Sequence, residues 1–289
     1  MHYQHSTRFE QHKAPHLKRS PRSACSPNST DGIGASRYNP DGQNWGLAPF
    51  IPHRLADAGY EPFIQMLRAS LRHAQGLRID HVMGLFRLYW IPGSHSASEG
   101  AYVRYPADDL LAILALESQR AGAFVVGEDL GTVEPGVRDQ LAEKQVLTYR
   151  VLWFEEGPVA QLPERALASV TTHDLPTIQG LWTGRDLRTL HALGLRPNEQ
   201  ALKAIRDRIE RAVHGDDVIE AVHRLLGTAP CLLLTATLED AVAISNRPNV
   251  PCAPSTWPNW SIGLPKPIDS LETNGVADAI AKALARPPT

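Results

Sequence analysis

The sequence has almost no excess charge of either sign and no long hydrophobic run. Its 289 residues include 29 Lys and Arg against 31 Asp and Glu, which leaves a formal net charge of −2. A chain without a basic field is not drawn to nucleic acid or to an anionic membrane surface, so we expect a neutral partner. No run approaches the roughly 20 apolar residues that cross a bilayer, and no hydrophobic signal core follows the first residue. These absences predict that the protein does not bind nucleic acid and does not insert into a membrane.

Cysteine is also scarce. The three cysteines, Cys25, Cys231 and Cys252, are odd in number and form neither a C-x-x-C pair nor a zinc-ligand spacing. This pattern excludes a predicted disulfide framework and a predicted structural zinc site. Unpaired thiols are typical of a reducing compartment, so the sequence predicts a cytoplasmic protein.

The first 31 residues differ in composition from the rest of the chain. They are rich in His, Arg, Lys, Ser and Pro and have no periodic apolar face. Such a segment cannot bury enough surface to offset its ordering entropy, so residues 1–31 are predicted to be a disordered basic leader. A nucleic-acid-binding arm or a histidine-rich metal tract is the less favoured alternative.

Beyond Tyr38 the pattern changes to alternating helices and short apolar strands. Apolar residues from Phe63 to Leu71 recur at helical spacing, and the strand "GLRID" follows and ends at Asp80. A helix then opens on Pro106, and the strand in "AFVVGEDLG" stops at Glu128. Roughly five strands alternate with helices in this way, which predicts an α/β fold with parallel strands. The later predicted strands are "YRVLWFEE", "LASVTTHD" and "CLLLTATLED", and the later helices include "PGVRDQLAEKQ", "LPTIQGLW", "NEQALKAIRDRIERAVH" and "DVIEAVHRLLG".

Three predicted strands end on carboxylates, namely Asp80, Glu128 and Asp174. In a β/α barrel the carboxyl ends of all strands open on one face, so these residues would converge on one pocket. Acidic residues at strand ends also serve as helix caps, and Asp108 or Asp129 are candidates for that structural role. Three such strand ends together favour the functional interpretation.

Paired carboxylates suit glycosyl transfer, in which one acts as acid and base and the other as nucleophile. Burial and a nearby like charge raise the pKa of the acid, whereas a guanidinium keeps the nucleophile ionised. Arg78 precedes Asp80 by two residues and therefore lies on the same strand face. The sequence thus predicts a charged pair beside the acid at the mouth of the sheet.

These motifs resemble a known family. The stretch from "LRIDHVMG" to "GEDLG", with "TTHDLPT" after it, closely resembles the bacterial 4-alpha-glucanotransferases, or amylomaltases, of the alpha-amylase superfamily. The resemblance runs from about Tyr38, through "GQNWG", to "PNW" at Pro258 to Trp260. It implies a (β/α)8 TIM barrel in the family, of which residues 32–289 would form the carboxy-terminal part, roughly strands 4 to 8 with the early strands missing.

The resemblance also implies roles for matching residues. Asp80 stands where the family has its nucleophile, and Glu128 stands at the general acid and base. Asp174 matches a third carboxylate that binds sugar hydroxyls and favours the distorted ring of the transition state. Arg78 and His173 match residues that flank these carboxylates in the donor subsite.

Further positions match a loop that covers the glucan. Gln43 and Trp45 in "GQNWG" correspond to that loop, and Asn259 falls in a stretch close to the site. An indole face packs on a glucose ring and excludes water, and that exclusion decides between transfer and hydrolysis. The resemblance implies no metal and no organic cofactor, and it leaves the oligomeric state open. Neighbouring aromatic residues are predicted to be packing residues: Phe86, Tyr89 and Trp90.

The sequence departs from the family at two places. Gly34 to Arg37 replace the usual Ala-Pro-Pro-Asp, and Cys252 with Ala253 stand where Pro-Gly-Thr is usual. The leading functional expectation is a retaining 4-alpha-glucanotransferase that acts on maltodextrins and glucose. The alternative is a truncated, catalytically incompetent fragment with at most weak glucan binding, because an open sheet exposes unpaired edges and an apolar face.

Overall fold

The computed structural model describes residues 6–7, 24–26, 28–33, 42–213, 217–251, 253 and 256–286. The chain divides into unit 1, Met1–Tyr149, and unit 2, Arg150–Thr289. Most of the predicted leader, the departure at residues 34–37 and Cys252 lie outside the described residues.

In its described residues, unit 1 combines a parallel and an antiparallel set of strands with four α-helices. Neighbouring parallel strands pair in the order β1, β4, β7, β8, and Ile79 of β4 lies opposite Gly127 of β7. The antiparallel sheet has the order β3, β2, β5, β6. In chain order the described elements are β1 (Ser6–Thr7), β2 (Ser29–Ile33), β3 (Gln43–Asn44), α1 (Pro52–Asp57), α2 (Glu61–Leu71), β4 (Gly76–Ile79), β5 (Arg87–Pro92), β6 (Ala101–Arg104), α3 (Ala107–Ala121), β7 (Phe124–Gly127), α4 (Val137–Glu143) and β8 (Leu147–Val151).

The core of unit 1 follows from the helical and strand periodicities. Phe63, Leu67 and Leu71 occupy one face of α2 and are buried, as their spacing predicts. They pack in one cluster with the alternate residues Leu77 and Ile79 of β4. The packing prediction is confirmed for Phe86 and Tyr89, which are buried, and Trp90 donates its indole N–H to the Tyr105 hydroxyl.

The antiparallel sheet of unit 1 is not predicted from the sequence. Its strand β2 contains residues 29–31 of the segment predicted as a leader, and Asp31 is buried there. A Cβ at Gly32 would lie 2.1 Å from the Gln43 carbonyl oxygen, so glycine permits the close pairing of β2 and β3. The disorder of residues 1–31 as a whole stays a prediction.

Unit 2 contains two paired parallel strands and six helices within the residues the structure describes. Strand β9 is fully buried and pairs with β10, with Leu167 opposite Leu233. Side-chain caps begin several helices, as Thr177 does for α5 and Asp217 for α8. In chain order the elements are β9 (Ala166–Ser169), α5 (Ile178–Trp182), α6 (Arg185–Ala192), α7 (Glu199–Ala212), α8 (Val218–Gly227), β10 (Leu233–Thr235), α9 (Leu238–Ala241) and α10 (Gly275–Leu284).

The elements confirm the predicted α/β class. Groups of strands and groups of helices follow one another along the described chain, and α3 carries Asp108 and Asp109 in its first turn directly after Pro106. Among the described residues, none of the helices has both the length and the apolar character needed to cross a membrane.

Candidate active site

The carboxylates Asp80 and Glu128 leave the carboxyl ends of two neighbouring strands. Strand β4 ends at Ile79 and β7 ends at Gly127, and these two residues are register partners. The Glu128 backbone N–H donates to the Ile79 carbonyl at 2.8 Å, which continues the pairing past the strand end. Because adjacent strands lie about 4.8 Å apart, the two side chains emerge side by side. The structure therefore brings these two predicted residues together.

Arg78 forms the predicted ion pair with Asp80. Its guanidinium nitrogen lies 2.7 Å from Asp80 Oδ1, and the two side chains are only 10% and 18% exposed. The same guanidinium lies over the Tyr149 ring, 4.9 Å from the centroid. A carboxylate this buried requires a paired charge, and Arg78 provides it.

Glu128 is held by backbone donors on both of its oxygens. The His81 N–H donates to Oε2 and the Leu130 N–H donates to Oε1, each at 2.8 Å. Burial raises the pKa of Glu128 above its ordinary value, and the nearby Asp80 charge raises it further. The two N–H donors and Arg78 act in the opposite direction without cancelling the effect of burial. A fixed carboxyl group with a raised pKa is suited to general acid and base catalysis.

His81 links Glu128 to the loop that contains Trp45. Its backbone is left-handed, with φ of 48°, and it precedes the 3-10 turn Val82–Leu85 that follows β4. Burial lowers the pKa of the His81 imidazole. The Asp80 carboxylate raises this pKa in part, and the Arg87 guanidinium lowers it further. The Trp45 ring contacts the His81 ring edge to face, with centroids 5.0 Å apart. Gln43 lies two residues earlier, in strand β3, and is half-buried.

Asp129 has a structural role beside Glu128. It is 1% exposed and accepts hydrogen bonds from the Thr148 hydroxyl at 2.7 Å and the Tyr149 N–H at 3.0 Å. The Arg138 guanidinium also donates to it at 2.7 Å. The alternative that Asp129 caps the following helix is wrong. Its carboxylate instead connects the end of β7 to β8 through hydrogen bonds to Thr148 and Tyr149.

Asp174 lies in a turn and not at the strand end that the sequence predicts. Strand β9 ends at Ser169, and the turn with Asp174 precedes α5. The Asn249 side chain donates to Asp174 Oδ1, and Arg247 donates to its backbone carbonyl at 2.9 Å. His173 Nε2 lies 3.4 Å from Asp174 Oδ2. Neither Arg247 nor Asn249 was predicted, since their contacts span more than 70 residues.

Unit 2 contains a cavity of about 270 Å³ next to this turn. His173 and Trp260 line it, with ring centroids 5.1 Å apart, and the Trp260 side chain is 61% exposed. Its volume is near the lower end of the range for ligand pockets, about 300 to 1,000 Å³. Trp260 belongs to the "PNW" motif, so its aromatic character could have identified it from the sequence.

Asn259 is engaged in the loop that carries Trp260. Its side-chain oxygen accepts from the Val250 N–H at 2.8 Å, and its amide nitrogen donates to the Ala253 carbonyl at 3.1 Å. The predicted contact of Asn259 with sugar stays a prediction. The observed bonds give it a role in shaping the loop.

The remaining predicted features concern thiols and metals. Cys231 is a free thiol and is buried. No group of three or more His, Cys, Asp or Glu side chains in the described residues is arranged to hold a metal ion.

A protein-family model described as 4-alpha-glucanotransferase matches residues 9–267. This is most of the chain. The chain belongs to the 4-alpha-glucanotransferase family. The match begins inside residues 1–31, the predicted leader that looked unrelated to the family because the resemblance is lost at residues 34–37. It includes Asp80, Glu128 and Asp174.

Curated members of this family are similar over most of the chain. The 4-alpha-glucanotransferase of Mycobacterium tuberculosis H37Rv is 38% identical over 88% of this chain and 40% of its own length. That of Haemophilus influenzae is 36% identical over 86% of this chain and 40% of its own length. The chain therefore spans about two fifths of the length of these curated relatives.

Two solved structures share the fold. The Corynebacterium glutamicum amylomaltase is 34% identical with a TM-score of 0.83, over 91% of this chain and 43% of that one. The Streptococcus agalactiae amylomaltase, solved with acarbose, is 19% identical with a TM-score of 0.70, over 89% of this chain and 50% of that one. The second match is evidence of similar fold only.

Proposed function

We propose that this chain carries the catalytic carboxylates of a 4-alpha-glucanotransferase that moves alpha-1,4-linked glucan segments between maltodextrins or to glucose. The observation that carries the proposal is the pair at the ends of β4 and β7. Asp80 lies 2.7 Å from the Arg78 guanidinium, and Glu128 has a raised pKa. One carboxylate is thereby suited to nucleophilic attack and the other to proton transfer.

In the first step an Asp80 oxygen attacks the anomeric carbon of the donor glucan. The glycosidic carbon–oxygen bond breaks, and Glu128 gives its proton to the departing oxygen. The donor segment is then joined to Asp80 through an ester, and its anomeric configuration is inverted.

In the second step Glu128 takes a proton from the 4-hydroxyl of an acceptor sugar. That oxygen attacks the anomeric carbon and displaces Asp80, which restores the original configuration and regenerates both carboxyl groups. Water in the place of the sugar hydroxyl would give hydrolysis. Exclusion of water beside Glu128 therefore determines the transfer yield.

Asp174 is proposed to bind sugar hydroxyls and to favour the distorted ring of the transition state. The hydrogen bonds from Asn249 and Arg247 support this role, because they fix the turn that carries the Asp174 carboxylate. His173 and the exposed ring of Trp260 line the neighbouring cavity and are suited to contact a sugar.

The loop with Gln43 and Trp45 is proposed to cover the glucan, and the stretch with Asn259 is proposed to lie close to it. Contact of the Trp45 ring with His81 supports this, since His81 also binds Glu128 through its backbone. Similarity to the Corynebacterium amylomaltase supports a further proposal, that β4, β7, β8, β9 and β10 correspond to strands 4 to 8 of an eight-stranded β/α barrel. A cytoplasmic location stays a prediction from the cysteine content.

Incubation of the purified protein with maltotriose, followed by chromatography, tests the proposal. We expect glucose and a ladder of longer maltodextrins, and we expect Asp80→Asn and Glu128→Gln each to abolish the ladder. Glu143→Gln, at an exposed position on α4, is the matched control and should retain it. A ladder that survives in Asp80→Asn, or products limited to glucose and maltose, would overturn the proposal.

A further inference from the structure

Asp31 ties together the two ends of the Trp45 loop. The side chain is 6% exposed, and its Oδ1 accepts from the Leu47 N–H at 3.2 Å. Its own N–H donates to the Leu47 carbonyl at 2.8 Å, and its carbonyl accepts from the Trp45 N–H at 2.9 Å. One residue of β2 therefore fixes the backbone on both sides of Gly46.

The fixed loop places the Trp45 ring against His81. The two rings meet at an interplanar angle of 75° with centroids 5.0 Å apart. The His81 N–H in turn donates to Glu128 Oε2 at 2.8 Å. A continuous series of contacts thus leads from Asp31 to the proposed general acid.

We propose that Asp31 is a positioning residue for the transfer reaction, which holds Trp45 over His81 and so keeps water away from Glu128. The inference rests on the proposed function, because it assigns proton transfer to Glu128. The role assigned to Asp31 is positional, because its cited hydrogen bonds are to the backbone of the Trp45 loop.

Loss of the Asp31 carboxylate would leave the Leu47 N–H without that acceptor in a partly buried loop. Because a buried donor without a partner is costly, the loop would then favour an open conformation in which water reaches the N–H. Water that enters through the open loop would hydrate the Glu128 carboxyl group and lower its pKa, because burial is the largest cause of the raised value. The charged groups that face Glu128 are Asp80 and Arg78, with the titratable His81 beside them, and none of these changes in an Asp31 variant.

The test compares Asp31→Ala and Asp31→Asn. Asparagine retains an acceptor oxygen for the Leu47 N–H, whereas alanine has none. Thr30→Val, on the neighbouring residue of the same strand, is the matched control. For each variant the pH profile of kcat/KM with maltotriose, the ratio of transfer to hydrolysis products and the urea unfolding midpoint are measured.

We expect Asp31→Ala to shift the basic limb of the profile to lower pH by about half a unit or more, because Glu128 must be protonated in the first step. The hydrolysed fraction should rise several-fold, while Asp31→Asn and Thr30→Val keep both wild-type values. A uniformly lower rate in Asp31→Ala, with an unchanged basic limb and product ratio, would reduce Asp31 to a stability residue and overturn the inference. Full activity of Glu128→Gln would instead overturn the proposed function.

Discussion

Replacement of Asp240 with asparagine is expected to flatten the pH dependence of folding stability. Asp240 is completely buried, and its carboxylate accepts from the Ile178 N–H and from the Thr237 hydroxyl, each at 2.9 Å. Burial raises its pKa from 3.8 to about 6, and these two donors lower it only in part. The ionised form is therefore disfavoured in the folded chain.

The sign and size of the effect follow from the two pKa values. The folded chain binds this proton at about pH 6 and the unfolded chain only near 3.8, so stability rises as pH falls through this interval. At about 1.4 kcal/mol for each unit of pKa, the ionised Asp240 destabilises the fold by about 3 kcal/mol above pH 7. Roughly half of that, about 1.5 kcal/mol, is regained between about pH 7.5 and pH 5.

Urea unfolding followed by circular dichroism at several pH values measures this difference. Relative to Asp240→Asn, the wild-type protein should gain about 1.5 kcal/mol on acidification over that interval. Asp269→Asn removes an exposed carboxylate and controls for the change of net charge. Parallel pH curves for the wild type and Asp240→Asn would contradict this prediction, because they would mean that Asp240 has the same pKa in the folded and unfolded chains.

Three further substitutions test other contacts. Asp129→Ala should lower the free energy of unfolding by about 3 kcal/mol, since it leaves the Tyr149 N–H without this acceptor and removes a buried ion-pair partner. A loss under about 1 kcal/mol in urea unfolding would contradict this. Gly122→Ala should destabilise α3 by about 1 kcal/mol, because the helix ends there in a left-handed conformation with φ of 61°, and an unchanged thermal midpoint would argue against it. Arg78→Met should reduce kcat/KM at least about 100-fold by leaving Asp80 without this guanidinium, whereas near-normal transfer of maltotriose would show that the ion pair is dispensable.

The juxtaposition of Asp80 and Glu128 could be predicted because it depends on local patterns. Each carboxylate follows a short apolar run, and parallel strands present their carboxyl ends at one edge. Arg78 could be predicted as the partner of Asp80 from the two-residue period of a strand. Family resemblance added the roles of these residues, which spacing alone does not supply.

The antiparallel sheet and the position of Asp174 could not be predicted in the same way. Strand β3 has only two residues, and β2 pairs with β5 about 60 residues later, so no local periodicity indicates either. Asp174 follows β9 by a turn whose shape depends on Arg247 and Asn249, more than 70 residues away. Composition placed Asp31 in a leader, although β2 buries it against the loop that contains Trp45.

The α/β class, the helix that opens after Pro106 and the three acidic motifs can be read from the sequence, because each depends on periodicity or on neighbouring residues. Long-range packing determines which carboxylates are buried, which backbone N–H groups hold Glu128 and how Asp31 is connected to Trp45. Burial and hydrogen-bond partners set the pKa of a carboxyl group, and both depend on residues that are distant along the chain.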